Sequence, residues 1–203
     1  MVLLGWLAAG VLASCSAGGG PDYYTRQVKI PRVGGVMRMP HEYGGFYIYN
    51  LDDLPVKSVD EDVRNKARVW KHWLGANFER NEEAAAFVDT VEYNGAFFMW
   101  RGGEETIERA QGPYFAREVR RMVHYGLSGI YDTEEALGNT FTQTENRTYF
   151  KVKFVINNRL EPSKQTYVTT YAMNYKEDPH LYFIMVLRFE NDDMEDLVQT
   201  ITF

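Results

Sequence analysis

The stretch His180 to Phe189 constrains this fold more than any other. Leu181, Phe183, Met185 and Leu187 alternate with Tyr182, Ile184 and Val186, so both faces of the extended segment are apolar. A strand of that kind must have a layer packed on each side, which places it centrally in a sheet. The rest of the domain has to supply neighbours at both edges and cover on both faces.

The neighbours are readable on its N-terminal side. Phe150, Val152, Phe154 and Ile156 alternate with Lys151 and Lys153, giving a strand with one buried and one wet face. Thr166 to Tyr175 reads as the next strand, with Asp178-Pro179 as the turn after it, and a short strand is expected over Thr140 to Gln143. Connections this short make a meander of four antiparallel strands. Aromatic content of 15% points the same way, since aromatic rings fit a half-buried pleated surface.

Earlier in the chain, Arg26 to Ile30 and Gly45 to Tyr49 read as strands, with Val33-Gly34-Gly35-Val36 as a turn between extended pieces. Ser58 and Glu61 have capping-box spacing. Val63, Ala67, Trp70 and Leu74 follow at helical spacing beside Trp73, and Gly75 stands where a helix ends. Trp70 and Trp73 are expected to be core anchors. A weaker helix is expected over Glu82 to Phe87. Asn94-Gly95 within Val91 to Trp100 signals a hairpin. Arg101 to Glu105 reads as a loop whose acids start a short helix. Pro113 opens a further helix with Phe115, Val119, Met122 and Val123 on its apolar side and Gly126 at its end. A terminal amphipathic helix is expected, capped by Asp192 or Asp193 and carrying Met194, Leu197, Val198 and Ile201.

Helices before and after the meander predict an α+β domain over residues 36–203, a single antiparallel sheet covered by helices. From residue 40 to 203 this order resembles the PsbP-like fold family, which includes DcrB-type bacterial lipoproteins. The ending carries the resemblance best: an apolar strand, Asp192-Asp193, and a helix closing on Thr200-Ile201-Thr202-Phe203. It implies a PsbP-like sandwich. A cystatin-like or nuclear-transport-factor-like cone is the alternative.

The N-terminus carries a second resemblance. An uncharged apolar run, Val2 to Val11, ends in the small residues before Cys15, the one cysteine of the chain. An apolar core of roughly 7–15 residues ending at small side chains is the layout of a secretory signal, too short to span a bilayer. Leu12-Ala13-Ser14-Cys15 resembles the lipobox of bacterial lipoproteins. That resemblance implies a signal peptide over residues 1–14, lipid on Cys15, and a tether and lead-in over 15–35. It also implies anchoring in the bacterial cell envelope. Ser16 after the cysteine implies the outer membrane, facing the periplasm.

Chemistry is sparse. His41, His72, His124 and His180 are isolated, with no pair at zinc-helix spacing. A lipidated Cys15 leaves no thiol nucleophile, and no nucleophile elbow or phosphate loop is present. Asp52-Asp53 and Asp192-Asp193 read as caps and turns. A formal charge of −6 argues against nucleic acid. One charged pattern stands out: Arg117, Arg120, Arg121 and His124 fall on one helix face, a candidate contact for an anion or acidic partner. These features predict no enzyme, no cofactor and no metal. They predict a membrane-tethered accessory or protein-interaction subunit of an envelope assembly, with a protein partner. The alternative is a small-ligand carrier with an aromatic pocket between the sheet and the helix at residues 58–74.

Overall fold

The computed structural model describes residues 25–46, 60–78, 84–126, 131–159 and 165–203. Cys15, Asp52-Asp53, Ser58 and the proposed signal lie outside them, as do the side chains of Trp73 and Leu74. In chain order the elements are β1 (Thr25–Lys29), β2 (Val36–Pro40), β3 (Tyr43–Phe46), α1 (Glu61–Phe78), β4 (Ala84–Asp89) and β5 (Gly95–Glu104). After a 3-10 turn at Arg109–Gln111 come α2 (Gly112–Gly126), β6 (Tyr131–Gln143), β7 (Arg147–Asn158), β8 (Gln165–Tyr175), β9 (Asp178–Arg188) and α3 (Glu195–Val198).

Seven strands form an antiparallel sheet in the order β3-β4-β5-β9-β8-β7-β6, and β1 pairs with β2 separately. The meander expected after residue 139 is β6 to β9, and β9 is central, between β5 and β8. Its two faces feed two cores. Met185 and Leu187 join Phe98, Phe154 and Val168 beneath Trp70 of α1 and Val119 and Val123 of α2. Tyr182, Ile184 and Val186 join Phe97, Tyr171 and Met173 beneath Met37 and Met39 of β2 and Leu197, Val198 and Ile201. The sheet is therefore not single. One face packs with helices, and the other is covered by the β1-β2 hairpin and a single turn of helix. No described helix is long and apolar enough to cross a membrane.

Several local expectations need correction. The folded unit includes Thr25 to Gly35 rather than starting at residue 36, because Ile30 and Val33 are buried in the second core. Residues 84–89 form a strand, not a helix. Three alanines favour helix locally, but all six residues are buried, paired with β3 and β5. The helix α1 runs through Gly75 to Phe78. Its start is marked by Asp60, whose carboxylate accepts the Asp62 amide at 2.9 Å.

The hairpin signalled by Asn94-Gly95 is the β4-β5 connection, but its loop is longer than two residues. The buried Asp89 carboxylate accepts the Val91, Glu92 and Asn94 amides at 3.0–3.1 Å, and Tyr93 takes the positive φ of 58°. Gly95 is needed for space: a Cβ there would lie 2.5 Å from the Tyr43 hydroxyl and 2.7 Å from Arg188 Cδ. Arg101 to Glu104 belong to β5, across a register shift, rather than to a loop before a helix. The turn after β8 is Lys176-Glu177, since Tyr175 already pairs with Asp178.

The terminal helix is shorter than its periodicity predicts. Met194, Leu197, Val198 and Ile201 are all buried as expected. The chain leaves the helix after Val198 because Thr200 Oγ1 donates to the Leu197 carbonyl at 2.7 Å and accepts the Arg38 amide at 2.8 Å. Thr202 then exchanges backbone hydrogen bonds with Val36 at 2.8 and 2.9 Å. Asp192 and Asp193 form turns, accepting the amides of Met194 and Glu195.

Candidate functional site

A cleft of about 410 Å³ opens between the N-terminal half of α2 and the sheet. Its floor is Phe150, Ala172, Leu181 and Phe183, and Trp100 closes one side. Gln111 of the 3-10 turn and positions 114, 115, 118, 119 and 122 of α2 recur at helical spacing and supply the roof. Most of this lining is apolar or aromatic. A cleft of this volume falls within the roughly 300–1,000 Å³ typical of small-molecule sites.

Ring packing fixes the walls. Phe183 stacks on Trp100 with centroids 5.1 Å apart and planes 15° from parallel. Phe115 lies between Phe183 at 6.2 Å and Phe150 at 6.0 Å. The roof sits close to the floor because α2 begins with a glycine: a Cβ at Gly112 would meet the Phe150 ring at 2.8 Å. Asn174 of β8 holds the lip. It accepts the Ile107 amide at 2.7 Å and donates to the carbonyls of Glu105 and His180 at 2.6 and 3.2 Å. Gln111 Oε1 accepts the Glu108 amide at 2.8 Å, closing the 3-10 turn that leads from the lip into α2.

Among the described residues, the lining's polar side chains include Glu105, Gln111, Glu118 and the Tyr114 hydroxyl, and none is a cation. At the mouth Tyr114 is 59% exposed, and the Arg117 guanidinium lies over its ring at 5.2 Å. Arg117, Arg120, Arg121 and His124 are all exposed on α2. Arg117 and Arg121 reach the Glu118 carboxylate at 3.8 and 3.6 Å, long and solvated contacts. The basic face therefore flanks the cleft without lining it.

Trp70, read as a core anchor, is fully buried, donates its indole N–H to the Tyr93 carbonyl at 2.7 Å and packs on Phe189. The cleft lies beside α2, not beside the helix at residues 58–74, where an aromatic pocket is expected and where several residues are outside the described set. No run of neighbouring residues marked it, because its lining comes from β5, the segment after it, α2, β7, β8 and β9. The signal available was the exposed Tyr114 and the doubly apolar β9, whose Leu181 and Phe183 reach the cleft.

A second groove, of about 520 Å³, is polar and lies where the β6-β7 and β8-β9 connections meet. Arg147 and Tyr175 line it, with the guanidinium over the ring at 5.2 Å. Arg147 Nη1 and the Tyr175 hydroxyl are buried without a hydrogen-bond partner among the described residues. Burial pushes the Tyr175 hydroxyl well above its ordinary range, the Arg147 charge acting against this, so the phenol stays neutral. Nearby, His180 Nδ1 lies 2.8 Å from Asp178. Burial alone would raise the Asp178 carboxyl, but the His180 amide, the Tyr182 hydroxyl and the His180 ring hold it below its ordinary range. Among the described residues no three His, Cys, Asp or Glu side chains gather as a metal set.

No protein-family profile matches the chain, and no curated protein matches it. Solved structures do. The chain is similar to cyanobacterial PsbP (CyanoP) from Synechocystis sp., with 12% identity, a TM-score of 0.51, and coverage of 95% of this chain and 99% of that one. The Ran-binding protein Mog1p of Saccharomyces cerevisiae is more remote, at 8% identity and a TM-score of 0.45 over 88% of this chain and 84% of that one. At these identities the likeness concerns architecture alone, and the chain has the overall fold of the PsbP structure.

Proposed function

We propose that this chain is a lipid-anchored, non-catalytic binding domain of the bacterial cell envelope, which takes an apolar ligand into the cleft between α2 and the sheet. The cleft itself carries the reading: an aromatic-lined space open to solvent exposes ring surface that water covers poorly, and filling it is favourable. The lipobox-like Leu12-Ala13-Ser14-Cys15 supports tethering through Cys15, with Ser16 favouring the outer membrane on its periplasmic side.

A second reading, an accessory subunit that docks an envelope protein, is favoured by the exposed Tyr114 beside Arg117. Tyrosine and arginine are enriched among residues that anchor protein interfaces.

The test uses the full chain carrying Cys15→Ser, titrated with 1-decanol while the methyl signals of Ile107, Val119 and Leu181 are followed by NMR. Saturable shifts at those three residues are expected. They should disappear in Ala172→Leu, which fills the floor, provided its thermal unfolding is unchanged. Shifts that never saturate, or that persist in the filled variant, sink the ligand reading. The tether is checked separately: in cells Cys15→Ser should leave the membrane fraction or accumulate as an unprocessed precursor.

A further inference from the structure

We infer that the ligand of this cleft carries a cationic head, so that it is an alkylammonium or quaternary-ammonium amphiphile. This rests on the cleft being a ligand site at all. Three observations on the lining select the charge.

The first is the sign of the ionisable groups. Among the described residues, Glu105 and Glu118 are the charged members of the lining, and no lysine, arginine or histidine joins them. An anionic head beside two carboxylates meets repulsion, whereas a cation gains from both. The second is the ring chemistry. Trp100, Phe115, Phe150 and Phe183 present an aromatic wall, and ring faces carry negative charge density that attracts ammonium groups. The third is that the mouth already holds a cation on an aromatic face, the Arg117 guanidinium at 5.2 Å from the Tyr114 centroid.

The flanking cations do not reverse this sign. Arg117 and Arg121 are 70% and 80% exposed and reach Glu118 only at 3.8 and 3.6 Å. Exposed pairs of that length are weak and screened, so an incoming ammonium competes with them easily. Arg109 lies over the Phe141 ring at 5.6 Å and is not part of the lining.

The experiment compares decyltrimethylammonium, 1-decanol and decyl sulfate on the full chain with Cys15→Ser, each below its micelle concentration, using the methyl shifts of Ile107 and Val119. The cation should bind about three- to tenfold more tightly than the alcohol, and the sulfate more weakly than either. Glu105→Gln with Glu118→Gln should bring the cation down to the alcohol. Glu61→Gln with Glu135→Gln, which removes two exposed carboxylates that do not line the cleft, should leave the preference intact. That control separates the lining from the general attraction of an acidic protein for cations.

Equal, saturable binding of cation and alcohol overturns the inference and leaves the cleft as a ligand site. An equal loss in both double variants also overturns it, because the preference then belongs to net charge. Tightest binding of the sulfate reverses the sign and points to Arg117 and Arg121. Absence of saturable binding by all three overturns the cleft reading together with the inference.

Discussion

The Asn174 carboxamide accepts the Ile107 amide at 2.7 Å although 67 positions separate the two residues. The same side chain donates to the Glu105 and His180 carbonyls, so one carboxamide fixes the irregular segment following β5 against β8 and β9. Asn174→Ala leaves the amide of a buried isoleucine without its acceptor, at a cost of about 1–3 kcal/mol. Urea unfolding should register that loss, and affinity for decanol should fall with it because Ile107 forms part of the cleft. A variant as stable as the parent would mean that the lip does not depend on this side chain.

Gly112→Ala opposes two effects of known size. Helix propensity favours alanine by up to about 1 kcal/mol. The added Cβ meets the Phe150 ring at 2.8 Å, and overpacking a filled contact costs about 1–3 kcal/mol. Net destabilisation is expected, with a displaced Phe150 ring visible in its NMR shifts. A stabilised variant would show that α2 can lift from the floor without loss.

Trp70→Ala should cost about 3–5 kcal/mol, the range for truncating a buried tryptophan. The residue is wholly buried and its indole N–H is bonded to the Tyr93 carbonyl. Trp70→Phe keeps much of the apolar volume but strands that carbonyl, so an intermediate loss is expected. A shift below about 1 kcal/mol in Trp70→Ala places α1 wrongly.

Stability should depend on pH through Lys151, which bonds Asp193 at 3.2 Å and also Glu195. Burial pushes the Asp193 carboxyl up, but Lys151, the Glu195 amide and Lys153 outweigh it, and the carboxyl sits below its ordinary 3.8. A depressed carboxylate contributes fully above 3.8 and loses its contribution as pH falls through its lower folded value. Burial likewise pulls the Lys151 ammonium down, yet Glu195 and Asp193 hold it above 10.5, so its contribution is whole below that pH and lost above its folded value. Lys151→Met should flatten both the acid and the alkaline limb of a stability profile. Unchanged limbs would mean that the α3 anchor rests on packing alone.

The basic face of α2 gives a charge test independent of the cleft. Arg117→Glu with Arg121→Glu should weaken binding to anionic vesicles by about 1 kcal/mol or more per reversed charge at low salt, with the difference fading as salt rises. The melting temperature should barely move, since both side chains are largely exposed. A parent chain with no affinity for such vesicles makes this face a solvated one.

What was legible in the sequence was whatever depends on local periodicity. β9 announced itself by having two apolar faces, and the exposed basic face of α2 followed from its spacing. β4 was hidden because Ala84, Ala85 and Ala86 favour helix, and only burial between β3 and β5 makes them a strand. The end of α3 was hidden because Thr200 meets a backbone amide 162 residues earlier, at Arg38. The cleft was illegible for the same reason on a larger scale, since its walls converge from strands far apart in the chain. Glu105 and Glu118 read separately as unremarkable surface acids, and only their shared lining gives them a common sign.

The central position of β9 also bears on how the chain is born. β9 closes the gap between β5 and β8, yet it is the last strand of the sheet to be made. A nascent chain extending only to Glu177 therefore leaves β5 and β8 as open sheet edges, and lacks Met185 and Leu187 of one core and Tyr182, Ile184 and Val186 of the other. Local pieces such as the β7-β8 hairpin form early, but pairing β5 with β9 spans some eighty intervening residues and makes closure slow. Until β9 emerges, whatever handles the growing chain handles two separate sets of strands with no joined sheet between them.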